Sequence, residues 1–158
     1  MSGTSSFSDQ LTDIVATVRK MNKATDGHYA MVAASILDQD LERALLTKMR
    51  PLGSKAREQL FGRTLRLAGK IDLAFALRLV DRNLFNVLKI MNKIRVQFAH
   101  TTEIRSFEDP DIAKLIASIP GLNPEITNIR LRYFKRLKEI ETHLEAVVAA
   151  SNPDAVLE

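Results

Sequence analysis

The segment from Ile94 to His100 holds two side chains that could together act on a phosphate ester. Arg95 carries a planar guanidinium that binds phosphate oxygens through paired hydrogen bonds. His100, five positions later, carries an imidazole that exchanges protons near neutral pH. Cleavage of RNA without a metal needs both charge stabilisation and proton transfer. If the chain is a ribonuclease, Arg95 and His100 are its candidate catalytic residues.

The spacing of these two residues argues against joint action on one regular helix. Five residues of an α-helix rotate by about 500°, which leaves the two side chains roughly 140° apart. They could face one cleft only if the helix loosened near His100 or if the long Arg95 side chain reached round. We therefore interpret Arg95 as structural and His100 as a residue at a helix C-terminus, where a positive charge is favoured.

Arg95 also interrupts an apolar row. It follows, at spacings of four, three and four positions, the residues Leu84, Leu88 and Met91. Asp38 and Asp72 interrupt the apolar rows of two other predicted helices in the same way. Because an unpaired buried charge is costly, we predict a shared polar cluster in which Arg95 contacts Asp38, Asp72 or both. The alternative is that each charge lies at the edge of its row and reaches water.

Motifs for cofactors and metals are missing from the sequence. It contains no GxGxxG, P-loop, HExxH or GxSxG pattern, and it has no cysteine. Its three histidines, His28, His100 and His143, are far apart and have no ligand-spaced companion. We therefore expect no cofactor, no cofactor-binding residues, no metal site and no dedicated catalytic residue. The lack of cysteine also excludes disulfides and agrees with a reducing compartment.

Two basic stretches bear on nucleic acids. Between residues 48 and 70 there are seven lysines and arginines and one acid, Glu58. A second group of five cations lies between residues 130 and 138 but spreads around its helix. We interpret both stretches as solvated helix faces. A nonspecific nucleic-acid binder of low affinity remains an alternative.

The periodicity of the apolar residues predicts an all-α fold. Apolar positions recur at spacings of three and four, and no segment alternates apolar and polar residues cleanly. The predicted helices span residues 9–20, 26–49, 55–61, 64–80, 82–99, 111–118 and 124–150. Asp26 and Asn123 are predicted as N-caps, and Pro124 as the first residue of the last helix. The prediction is one helical bundle domain of six or seven helices over residues 9–150, with a disordered tail at 1–8 and a C-terminal tail at 151–158.

Three blocks of the sequence resemble the mannitol operon repressor family. The first begins at residues 61–63, FGR, and continues through residues 69–77, GKIDLAFAL, which are similar to the family's "KIDLAyALGLI" block. Residues 93–100, KIRVQFAH, are similar to its "IRNeFAH" block. Residues 34–42, ASILDQDLE, are similar to its "aLLDdaLe" block. Arg78 stands where the family has glycine, and Val96 where it has asparagine, which indicates a distant member. The resemblance implies an all-helical transcriptional regulator that acts through partners and lacks a DNA-reading helix-turn-helix.

The pair Arg95 and His100 is also similar to the Arg-x4-His signature of the HEPN superfamily of helical domains. Some of these domains are metal-independent ribonucleases or toxins. There the arginine stabilises phosphate charge and the histidine moves protons, in a cleft between two subunits. Val96 replaces the polar neighbour that active members carry, so this resemblance implies an alternative function and not the favoured one.

The composition of the chain and the apolar residues outside the predicted core bear on localisation and oligomeric state. The chain has 158 residues and a formal net charge of +4, and it lacks both a signal-peptide pattern and a membrane-spanning apolar run. Leu131, Phe134 and Val148 lie off the core stripe of the last helix and predict a symmetric homodimer. We expect a cytoplasmic, non-catalytic regulatory module with a protein partner. We expect neither membrane association nor sequence-specific DNA binding.

Overall fold

The computed structural model describes residues 7–100, 102–122 and 125–151, with side chains described from residue 25 onward. Every regular element in these ranges is helical, which confirms the predicted all-α class. The elements are α1 (Phe7–Leu46), α2 (Ser54–Arg57), a π-helix (Glu58–Thr64), α3 (Leu67–Ala76), α4 (Arg82–Ala99), α5 (Pro110–Ala117) and α6 (Ile129–Ser151). Helix α1 packs against α3, α4 and α6, and α5 lies between α4 and α6.

Helix α1 runs without a break where two helices were predicted. Asp26 is not an N-cap, because it lies inside α1 and its side chain is fully buried. The neighbouring Gly27 continues the helix and lies close to α4, since a Cβ at this position would be in van der Waals contact with the Phe98 ring, at 3.4 Å. The sequence signal of an acid followed by glycine therefore marks a close helix contact and not a helix start.

Residues 54–64 form a short α-helical turn that continues as a π-helix. The Leu65 N–H donates to the Leu60 carbonyl at 2.7 Å, five positions earlier, which is the π-helical pattern. Gly62, predicted to end a helix, lies within this segment. Phe61 is the buried residue of the π-helix and anchors the segment to the core.

Helix α3 ends four residues earlier than the predicted 64–80 helix, in a Schellman motif. The Leu79 N–H donates to the Ala74 carbonyl at 2.9 Å, and the Arg78 N–H donates to the Phe75 carbonyl at 3.0 Å. This pattern requires a left-handed residue after the helix, and Arg78 takes that conformation at φ 58°. The motif ends the helix and lets the buried Leu79 and Val80 return to the core.

Helices α4, α5 and α6 follow the predicted order. Helix α4 has the predicted bounds, and Asp81 caps it by accepting the Leu84 N–H at 2.7 Å. Helix α6 begins at Ile129, five residues after the predicted start. The predicted cap at Asn123 and Pro124 lies outside the described residues, as do residues 1–6 and 152–158 of the predicted tails. Large residues that these helices and α1 bury include Leu37, Leu41, Leu88, Met91, Ile94, Ile112, Ile116 and Tyr133.

Candidate functional site

Arg95 lies on a wall of an open groove of about 550 Å³, which we call the α1–α4 groove. Residues of α1 between 31 and 39 form one wall, and α4 residues between 92 and 96 form another. Residues 61–68, from the π-helix to the first turn of α3, close the third side. Met31, Phe61 and Val96 supply apolar surface, and Arg66, Asn92 and Arg95 supply polar groups.

The predicted cluster of Arg95, Asp38 and Asp72 does not form. Asp38 accepts a hydrogen bond from Lys70 Nζ at 2.6 Å, and Asp72 accepts one from Lys89 Nζ at 2.7 Å. Arg95 makes no ion pair with either acid. The reason is that Asp72 lies two positions after Lys70 on α3, so it points to solvent when Lys70 points inward. Asp38 therefore borders the groove, but its carboxylate is paired with Lys70 and not with Arg95.

Lys70 is the functional-looking residue that sequence reasoning missed. Its side chain is 1% exposed, and its Nζ lies between Asp38 and Glu42, 3.4 Å from Glu42 Oε2. The Phe61 ring lies beneath it, 5.5 Å from Nζ to the ring centroid. Glu42 also accepts a hydrogen bond from Arg57 Nε at 2.8 Å. We call Lys70, Asp38, Glu42 and Arg57 the Lys70 cluster, and its formal charge is zero.

A signal for the burial of Lys70 was present in the sequence. It lies between Leu67 and Ala74 at spacings of three and four, so it shares their buried face. Because Lys70 also belongs to the basic stretch from residue 48 to residue 70, its sequence context predicts a solvated surface cation, which is wrong.

The Lys70 cluster leaves the groove with uncompensated positive charge. Neither the Arg66 nor the Arg95 side chain makes an ion pair or a hydrogen bond within the described part of the chain, and Arg95 is partly buried. Asn92, one turn before Arg95 on α4, has a buried Oδ1 with no hydrogen-bond partner. The first turn of α3, which also lines the groove, has no side-chain cap. These groups favour an anionic occupant that also offers a hydrogen-bond donor.

His100 does not line the α1–α4 groove. It is exposed at the C-cap position of α4, whereas Arg95 faces α1 and the π-helix. Within one chain the two candidate ribonuclease residues therefore do not share a cleft. His28 and His143 are also exposed, and no group of three or more His, Asp or Glu side chains in the described residues is placed to hold a metal ion.

A second polar site joins α1, the loop before α5 and α6. The buried Asp26 carboxylate accepts hydrogen bonds from Arg130 Nε at 2.6 Å and from Arg130 Nη2 at 2.8 Å. It also accepts the Phe107 N–H at 3.0 Å, and Arg130 Nη1 donates to Glu108 at 3.0 Å. The hydrogen bond to Asp26 is the main reason that the pKa of Arg130 is raised. We call this arrangement the Asp26 clamp.

The basic stretches are only partly solvated faces. Arg57, Arg63 and Lys70 are paired with acids, as are Arg130, Arg136 and Lys138 of α6. Lys48, Arg50, Lys55 and Arg66 are exposed and make no ion pair among the described residues. These four unpaired cations lie on the segment from residue 48 to residue 66, and Arg66 lines the α1–α4 groove.

Among the described residues, no helix has a stretch long and apolar enough to cross a membrane. Comparisons with protein-family models, with curated proteins and with solved structures gave no match for this chain.

Proposed function

We propose that this protein is a non-catalytic regulatory module that controls transcription through partners, as the resemblance to the mannitol operon repressor family implies. The observation that carries the proposal is the composition of the α1–α4 groove. Its lining includes Ala34, Ser35 and Asp38 from one block of the resemblance, Phe61 and Gly62 from the start of the second, which runs from residue 61 to residue 77, and Arg95 and Val96 from the third. Blocks that lie far apart in the sequence therefore meet at one surface.

The end of α3 supplies a second, independent argument. The family's block has glycine where this chain has Arg78, and Arg78 is the residue with a positive φ in the Schellman motif. Glycine adopts that conformation without steric cost. The glycine of the family pattern is therefore compatible with a helix that ends in a Schellman motif, as α3 does.

The rival function is an RNA-cleaving enzyme that uses Arg95 and His100. Its cleft would have to be built from two chains, because within one chain these residues lie on different surfaces. A cleavage assay without divalent metals separates the two proposals. We expect the purified protein to leave single-stranded RNA intact. Cleavage that is lost in both the Arg95→Ala and the His100→Ala variants would establish the enzyme instead.

The regulatory proposal is tested in the organism that carries the gene. Deletion should change the transcript levels of a restricted set of genes, and the wild-type protein should restore them. The Arg95→Gln variant should fail to restore them, whereas Arg50→Gln, which removes an exposed charge outside the groove, should succeed. Restoration by Arg95→Gln as complete as by the wild type would refute a role for the groove.

We also propose that the protein is a homodimer. Phe134 and Val148, which the sequence pattern placed off the core stripe of α6, are partly buried against the core, so they contribute less free surface than expected. Leu131 on α6 is 56% exposed, and Tyr29 and Val32 on α1 are 40% and 43% exposed. Tyr29 contacts the Phe134 ring edge-on, with centroids 5.1 Å apart, which links the exposed surface of α1 to α6. Apolar surface shared by two helices supports an interface between copies.

A further inference from the structure

The α1–α4 groove contains two arginines without an internal counterion. Asp38 is the acid on its walls, and its carboxylate is held by Lys70 at 2.6 Å. The Lys70 cluster is neutral as a whole, so Arg66 and Arg95 contribute an uncompensated charge of +2 to the groove. Arg95 is partly buried, so water compensates its charge incompletely, and a bound anion would supply the missing counterion.

We propose that the α1–α4 groove binds a small organic dianion, whose charged group is held by Arg66 and Arg95. A phosphomonoester carries a charge of about −1.5 to −2 at neutral pH and therefore balances the two arginines. Guanidinium groups bind such oxygens through paired, charge-assisted hydrogen bonds. The inference rests on the proposed function in taking this groove as the regulatory site, and it adds the chemical class of the effector.

The size and lining of the groove fit a small molecule. Its volume of about 550 Å³ lies within the range of roughly 300–1,000 Å³ that is usual for small-molecule sites. Met31, Phe61 and Val96 offer apolar contacts for the organic part. The unpartnered Asn92 Oδ1 accepts a hydrogen bond from a hydroxyl or amine of the ligand. The dianion is therefore expected to have an apolar part and at least one donor.

Isothermal titration calorimetry with phenyl phosphate, inorganic phosphate and benzoate tests the charge and the apolar contact separately. Phenyl phosphate combines a dianion with an apolar ring, whereas inorganic phosphate lacks the ring and benzoate carries one charge. We expect phenyl phosphate to bind most tightly. The Arg66→Gln and Arg95→Gln variants should each weaken its binding roughly 10-fold or more, because each removes a charge-assisted contact.

The matched control is Arg50→Gln, which removes one exposed, unpaired arginine outside the groove. It should bind phenyl phosphate like the wild type, and circular dichroism of all three variants should show an unchanged helical fold. Equal weakening by Arg50→Gln would mean general charge attraction and would overturn the proposal. So would benzoate binding as tightly as phenyl phosphate, or no heat of binding at millimolar ligand.

A short single-stranded RNA added as a competitor tests whether the groove binds a nucleic acid instead of a small ligand. If it displaces phenyl phosphate, binds far more tightly, and is weakened by the same two variants, the groove is a nucleic-acid site and the small-ligand proposal is wrong. These binding results are independent of the transcript measurements. A regulator whose groove binds no dianion would change transcript levels when deleted but would show no binding of phenyl phosphate. An anion binder without a regulatory role would bind phenyl phosphate, but its deletion would leave transcript levels unchanged.

Discussion

Arg130 holds the carboxylate of Asp26 through two hydrogen bonds of 2.6 and 2.8 Å, across 104 positions of sequence. Asp26 is fully buried and Arg130 is 29% exposed on its side chain. The pair fixes the start of α6 against the middle of α1, and the Phe107 N–H adds the loop before α5. A long-range contact of this kind decides how the helices are arranged more than it adds to their individual stability.

Loss of Arg130 should destabilise the fold strongly. The Arg130→Gln variant leaves the buried Asp26 carboxylate without its counterion, so we expect the free energy of unfolding to fall by about 3–5 kcal/mol. Urea denaturation followed by circular dichroism measures this. Lys135→Gln on the same helix removes an exposed cation without an ion pair in the described chain and should change stability by less than about 0.5 kcal/mol. Equal effects of the two variants would show that the Asp26 clamp contributes nothing.

Lys70 and Arg95 should differ in their contribution to stability. Lys70→Met leaves Asp38 and Glu42 facing each other without the ammonium between them, so we expect a loss of about 2–3 kcal/mol. Arg95→Met breaks no internal ion pair, so we expect a change within about 0.5 kcal/mol. Thermal or urea unfolding of the two variants in parallel provides the measurement. A large loss for Arg95→Met with a small one for Lys70→Met would restore the cluster that the sequence predicted.

Glycine at position 78 should stabilise the protein. Arg78 has φ 58°, and a side chain in this conformation costs roughly 1 kcal/mol relative to glycine. Arg78→Gly should therefore raise the melting temperature by roughly 2–4 °C. Lys93→Gly is the control, because it places glycine in the interior of α4, where it should cost about 1 kcal/mol. A loss of stability in both variants would contradict the assigned backbone conformation.

The pH dependence of stability should change with Asp40. Burial raises the pKa of the Asp40 carboxyl, and the nearby Glu141 and Glu145 raise it further against the effect of Arg43. The folded state then binds this proton more tightly than the unfolded state, so this group's contribution favours folding as the pH falls through its folded pKa. Asp40→Asn should be more stable than the wild type at pH 7, and the difference should shrink towards about pH 4.

Asp111→Asn is the control of opposite sign. A hydrogen bond from Arg105 lowers the pKa of Asp111, so its stabilising effect is present above the unfolded pKa and is lost as the pH falls. This variant should be less stable than the wild type at pH 7 and approach it in acid. Urea denaturation of both variants and the wild type, repeated between about pH 3 and about pH 8, gives the free energy of unfolding of each as a function of pH. Curves of the same sign for the two variants would contradict the assigned environments.

The homodimer is tested by the mass in solution. Light scattering at micromolar concentration should give twice the chain mass of 17.7 kDa. Leu131→Glu should shift the mass towards the monomer, because it places a charge on the proposed interface. Ile104→Glu changes another exposed apolar residue, 47% exposed in the loop before α5, and should leave the mass unchanged. A wild-type mass of one chain would exclude the dimer and the two-chain ribonuclease cleft with it.

The fold class and the α4 boundaries could be predicted because they depend on local signals. The spacing of apolar residues and the cap at Asp81 lie within a few residues of the features that they determine. The unbroken α1 could not be predicted in this way, because Asp26 and Gly27 resemble a helix start. Their actual roles depend on Arg130 and Phe98, which are distant in sequence.

For the α1–α4 groove, too, some features could be predicted from the sequence and others could not. That Arg95 occupies an unusual position could be inferred from its apolar row, but its partner could not. Asp38 and Asp72 could each pair with one of three cations on α3 and α4, and the rotation of α3 about its axis decides which of its charged residues faces α1. Lys70, and not Arg95, takes Asp38 because packing of Leu67, Ile71 and Ala74 fixes that rotation.

The continuity of α1 has a mechanical consequence. Asp26 and Asp38 lie on one unbroken helix, about 18 Å apart along its axis at 1.5 Å per residue. A hydrogen-bonded helix resists stretching, so an axial displacement of α1 at the groove displaces its other contact with α6 by a similar amount. The continuity of α1 thus couples the groove mechanically to the Asp26 clamp.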